Sequence, residues 1–163
     1  MAKDKTLHDL FLDTLKDIYY AEKQILRALP KMARGANSPA AKQAFEKHHD
    51  ETEVQIERLE QVFELLGKPA RGKQCPAILG IIEESKEIME DFKDSEALDA
   101  GLIAAAQAVE HYEISRYGTL KTWATQLGMT DAAKLLDQTL QEEMKTDKAL
   151  STLALQGENA KAA

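Results

Sequence analysis

The chain has 163 residues, 44% of them hydrophobic and 30% charged, with 8 Gly and 4 Pro. That composition suits one domain with a sizeable core and excludes a disordered, collagen-like or modular chain. A formal net charge of −7 repels a polyanion on average, so nucleic acid is not an expected partner.

Apolar residues recur three and four apart between sparse Gly and Pro positions, which predicts a nearly all-α chain. The first helix is expected over 6–34, ending at Gly35-Ala-Asn. Ser38 with Pro39 marks an N-cap and first helical position, and a second helix follows over 38–67. Residues 68–76 read as a loop. Pro76 opens a shorter helix over 76–93, with Ile78, Ile81, Ile82, Ser85, Ile88, Met89 and Phe92 on one face. Asp94 or Ser95 is the expected cap of a helix over 95–128, stopped by Gly128. Thr130 is the expected cap of the last helix, over 130–155, and residues 157–163 read as a frayed tail.

These are four long helices, each ~40 to 50 Å at 1.5 Å per residue, and one short one, all in a single domain. Short turns after the first and third long helices make antiparallel hairpins. The long middle connection is sufficient for a crossover, as in a ferritin-like four-helix bundle with a short fifth helix in the crossover. An up-down-up-down bundle with an elaborated middle connection stays open at this level.

No segment approaches the ~18 uninterrupted apolar residues of a membrane span, and no signal-peptide-like stretch follows the N-terminus. A cytoplasmic protein is expected. The single cysteine, Cys75, fits a reducing compartment and reads as structural or inert.

The helical seams carry acids where apolar residues belong. The third long helix steps through Ile103, Ala106, Glu110, Glu113, Tyr117, Leu120, Ala124 and Leu127. The fourth runs Leu136, Leu140, Glu143, Asp147, Leu150, Ala154. The first runs Phe11, Leu15, Ile18, Glu22, Ile25, Leu29, Met32, and the second Ala41, Phe45, His48, Glu51, Gln55, Leu59, Val62, Leu66. Measured from the hairpin turns, Glu22 and Glu51 stand level to within about one residue rise, and Glu113 and Glu143 to within about two. The two hairpins therefore read as pseudo-symmetric halves that place carboxylates at mid-height of one core.

An ionised carboxylate in a low-dielectric interior costs several kcal/mol. Protons on some acids, or two cations per chain, are the available neutralisers. Carboxylate oxygens with a scarce nitrogen donor suit iron or manganese better than zinc. Glu22, Glu51, Glu110, Glu113 and Glu143 are the candidate ligands, with His48, Gln55, Asp147 and Tyr117 as further ligands or hydrogen-bonding neighbours. A flanking, solvated position is the competing reading for Glu110 and Asp147. His8, His49 and His111 fall off the seams and are expected at the surface.

The segments Ala21-Glu-Lys-Gln24, His48-His-Asp-Glu-Thr-Glu-Val-Gln-Ile56, Val109-Glu-His-Tyr-Glu-Ile114 with Tyr117-Gly118, and Gln141-Glu-Glu-Met-Lys-Thr-Asp147 resemble the YciF/YciE family of bacterial ferritin-like proteins. The resemblance covers nearly the whole chain. It implies a ferritin-like bundle, usually dimeric, associated with stress responses and related to rubrerythrin-type di-metal carboxylate proteins. It places Glu22, Glu51, Glu143 and an E-x-x-E of Glu110 and Glu113 at ligand positions. Val54 and Thr146 stand where E-x-x-H motifs would carry histidine, so oxygen activation does not follow from the resemblance alone.

Two functions compete. One is a di-metal iron or manganese protein of oxidase or peroxidase type that handles peroxide, oxygen or Fe(II). The other is a non-catalytic dimeric stress or scaffold protein with a degenerate metal site; the apolar face of Ile56, Leu59 and Phe63 with the short helix could in part support its subunit interface. A DNA-protecting shell is disfavoured because no basic tail or patch is present.

Overall fold

Helix ends explain where the chain turns. In the computed structural model, which describes residues 4–163, Thr6 forms a reciprocal cap with Asp9. The Asp9 amide donates to the Thr6 hydroxyl at 3.3 Å, and the Thr6 amide donates to the Asp9 carboxylate at 2.8 Å. Such a cap stabilises a helix by about 1 kcal/mol. It starts α1 (Leu7–Gly35). Ser38 caps α2 (Pro39–Leu65) by accepting the Ala41 amide at 3.0 Å, with Pro39 in the first turn. Gly67, at φ 61°, closes α2 as the Lys68 amide returns to the Phe63 carbonyl.

The short helix α3 (Pro76–Asp91) is capped by Cys75, whose Sγ accepts the Ile78 amide at 3.4 Å. Helix α4 (Leu98–Gln126) begins later than expected. Asp94 takes a left-handed φ of 62°, and Ser95 uses its hydroxyl on the Ala97 amide inside a turn instead of capping the long helix. In α5 (Thr130–Leu153), Thr130 is the first helical residue and not the cap; Met129 holds the cap position. The tail is helical where the sequence reads as frayed. Residues 154–158 form a wider helical turn with extended backbone at Gly157, and α6 (Asn159–Ala162) follows. Its anchors are burial of Ala154 and Glu158 and packing against α4.

Cross-helix pairings fix the directions. The amides of Asn37 and Ser38 donate to the buried Asp99 carboxylate at 2.7 and 2.6 Å, joining the end of α1 to the start of α4. Those helices are antiparallel. Arg58 with Thr139 and Glu51 with Thr146 make α2 and α5 antiparallel as well. The order is therefore up, down, down, up, with α3 in the crossover, which is the ferritin-like arrangement and excludes the alternating one. α3 lies on α1 and α4, so close at Gly101 that an added Cβ would sit 2.7 Å from the Ile88 Cγ2.

Phe11, Leu15, Ile18, Ile25, Phe45, Leu102, Ile103 and Leu120 fill the two ends of the core. Ile56, Leu59 and Phe63 are buried within the chain, where they continue the inward stripe of α2. These three side chains are taken up within the chain and are not the part of that face that could serve a subunit interface. Among the described residues, no helix is long and apolar enough to cross a membrane.

Candidate metal centre

Between its apolar ends the bundle is polar. Glu22 from α1, His48 from α2, Glu110 and Glu113 from α4, and Glu143 from α5 are all buried, the four glutamates completely. One ligand atom from each of His48, Glu110, Glu113 and Glu143 falls within 4.8 Å of the others. His48 Nδ1 lies 3.0 Å from Glu110 Oε1, while its Nε2 lies 3.8 Å from Glu143 and 3.9 Å from Glu113. Glu22 stands beside this group, near enough to Glu113 for the two carboxyls to influence each other's ionisation, and accepts the Tyr117 hydroxyl at 2.5 Å.

The electrostatics follow from burial. Desolvation, joined by the charge of Glu143, raises the Glu22 carboxyl from 4.5 to about 8, even though the neighbouring Glu113 carboxyl and the Tyr117 hydroxyl pull the other way. Glu110 and Glu113 are pushed well above the carboxylate range, first by burial and then by neighbouring carboxyls. Burial lowers His48 more than Glu143 and Glu51 raise it, which favours a neutral imidazole. Burial also raises Tyr117, so its hydroxyl remains a donor.

The cluster leaves its own polar atoms unsatisfied. Glu22 Oε2, His48 Nε2 and both oxygens of Glu110, Glu113 and Glu143 are buried with no hydrogen-bond partner. The Nδ1 approach to Glu110 has the distance of a hydrogen bond without its alignment. Native interiors rarely leave so many groups unpaired at one point. Four converging carboxylates and one imidazole make a donor set of the kind that suits iron or manganese.

Glu51 and Asp147 are not in this group. Glu51 is partly exposed, accepting from Thr146 Oγ1 at 3.2 Å with Lys47 at 3.7 Å. Asp147 lies at the α4–α5 margin, where Gln107 Nε2 and His111 Nε2 each stand 3.2 Å away. The inward position next to His48 belongs to Thr52, whose hydroxyl donates to the His48 carbonyl at 2.7 Å. Strict alternation of three- and four-residue steps through 41, 45, 48, 52, 55 and 59 selects Thr52; passing through Glu51 needs two successive steps of three. Gln55 is buried beside the site and donates to Glu142 at 3.2 Å.

A clamp unanticipated from sequence joins α2 to α5. Arg58 holds Glu142 with two hydrogen bonds of 2.9 and 3.0 Å and donates to the buried Thr139 hydroxyl at 2.7 Å. Partial burial would raise the Glu142 carboxyl, but the bonds from Arg58 and Gln55 outweigh it and hold it below its ordinary value. Cys75 is buried, 3.0 Å from the Tyr112 hydroxyl, which also donates to Asp17. These contacts anchor the crossover to α1 and α4.

Residues 6–163 match the family described as a domain of unknown function, DUF892. The chain is 50% identical over 159 residues to the protein YciF of Escherichia coli K12, covering 97% of this chain and 96% of that protein. The crystal structure of that E. coli stress protein superposes with a TM-score of 0.89, covering 93% of this chain and 96% of the other. YcfI of Rhodopseudomonas palustris, for which a structural role has been suggested, gives a TM-score of 0.90 at 48% identity, covering 93% and 98%. A protein of Xanthomonas campestris pv. campestris shares the fold at 22% identity, with a TM-score of 0.70 over 95% of this chain and 92% of that one. By sequence match along nearly its whole length, the chain belongs to the DUF892 family and is a relative of YciF.

Proposed function

We propose that this protein is a stress protein whose bundle core holds two iron or manganese ions and handles peroxide, oxygen or Fe(II). The observation that carries the reading is the set of buried, unpartnered oxygens on Glu22, Glu110, Glu113 and Glu143 around the unpartnered His48 Nε2. Four carboxylates ionised together carry four negative charges, which two divalent cations balance. Bound iron or manganese would supply electron transfer and Lewis acidity toward a small oxidant.

The protein's own part is to bind, orient and exclude water. Glu110, Glu113 and Glu143 would hold the ions with His48, whose neutral form offers its lone pair. Tyr117 holds a proton on its Oη against Glu22 and so fixes the orientation of that carboxylate. The apolar layers at both ends of the core keep bulk water from the site.

A second reading, a non-catalytic dimeric scaffold with protonated acids, draws on the raised carboxyls and on Val54 and Thr146 in place of E-x-x-H histidines. Metal content separates the two. Protein purified without chelator and loaded anaerobically with Fe(II) or Mn(II) is expected to retain about two ions per chain by plasma mass spectrometry, lost in Glu113→Gln and Glu143→Gln. Metal content unchanged by both substitutions, or none in the wild type, overturns the proposal.

A further inference from the structure

We propose that cations reach the buried carboxylates through a cleft between α2 and α5, with Glu51 at its mouth as the first carboxylate they meet. This rests on the metal-binding reading above. The cleft has a volume of about 270 Å³ and is walled by Ala44 and Thr146 with Ala149 and Lys47, reaching His48 at its depth. At about 30 Å³ per water, a divalent ion fits with its hydration shell.

His48 connects this opening to the site. It lines the cleft, while its buried Nε2 lacks a partner and lies within 4 Å of Glu113 and Glu143. The four glutamates behind it are completely buried. The small side chains of Ala44 and Ala149 leave this space unfilled, and the Arg58–Glu142 pair ties α2 to α5 at its edge.

Glu51 is suited to receive an incoming ion. Its partners are one hydroxyl at 3.2 Å and the Lys47 ammonium at 3.7 Å, and Lys47 is 76% exposed and free to swing into solvent. Glu142, which also lines the cleft, is engaged by Arg58 and is not available for that role. Lys145 also borders the cleft, and Glu51 is the lining carboxylate there that no guanidinium engages.

Stopped-flow mixing of the chelator-treated full chain with Mn(II), followed by a fluorescent indicator of the free ion, tests the route. Ala44→Phe, which fills the cleft, is expected to slow uptake tenfold or more, and Glu51→Gln several-fold. Both are expected to reach the wild-type final stoichiometry. Glu51→Gln changes a partly exposed side chain and carries the test even if Ala44→Phe fails to fold. Uptake at the wild-type rate in Glu51→Gln and in folded Ala44→Phe overturns the route and leaves the metal reading intact. Absence of uptake by the wild type overturns the metal reading and the route together.

Discussion

Raising the pH of metal-free protein from 5.5 to 8.5 should destabilise it, and Glu22 is the residue through which the effect is worked out. In the unfolded chain this carboxyl ionises near 4.5; in the folded core it holds its proton to about 8. Between those values the native state binds more protons than the unfolded state, so stability falls as pH rises. Its contribution is fully present below 4.5 and lost once the pH passes about 8. At roughly 1.4 kcal/mol per pH unit, the rise from pH 5.5 to about 8 corresponds to a loss on the order of 3.5 kcal/mol, or about 10 °C in Tm for a chain of this size. Thermal unfolding in chelator measures it, with Glu22→Gln as the reference because that variant keeps an acceptor for Tyr117 and cannot ionise. The wild-type curve is expected to fall more steeply than the variant's. Parallel curves, or a wild-type Tm that rises between pH 5.5 and 8.5, would refute the argument. Mn(II) at a hundred times its Kd should restore about 2.7 kcal/mol by mass action alone and flatten the fall, because it takes the deprotonated form.

Two further outcomes follow from particular contacts. Tyr117→Phe removes the only hydroxyl that donates to Glu22 among the described residues and should cost about 1–3 kcal/mol in urea unfolding of the metal-free protein. An unchanged midpoint would mean that the pairing contributes nothing. Arg58→Ala leaves Glu142 and the buried Thr139 hydroxyl without their shared partner, at a cost of about 1–3 kcal/mol, while metal stoichiometry stays at the wild-type value. Loss of metal with no loss of stability would place Arg58 in the site instead of in the clamp.

Helices α1 and α4 were legible from sequence because their inward residues follow three- and four-residue steps without a break. Glu22, Glu110, Glu113 and Tyr117 accordingly lie where the stripes placed them. Helix α2 was less so: Glu51 and Thr52 are adjacent and both polar, and only the cumulative phase of the whole helix decides which faces in. Asp147 sits at a marginal angle, and its outward turn depends on Gln107 and His111, residues of another helix. The Arg58–Glu142 clamp was invisible for the same reason, since no intrahelical spacing relates the two positions. Local competition moved the start of α4, where Ser95 spends its hydroxyl on a turn. The tail is helical because Ala154 and Glu158 find burial against the bundle, which composition alone does not reveal.

Metal binding by Glu113, Glu143 and their neighbours is open to anomalous diffraction from crystals of Mn(II)-loaded protein, recorded on both sides of the manganese absorption edge. Two edge-dependent peaks per chain are expected in the core, within bonding distance of carboxylate oxygens of Glu113 and Glu143. Peaks confined to surface residues such as His49, Asp50 and Glu53, or none in the core of fully loaded protein, would contradict it.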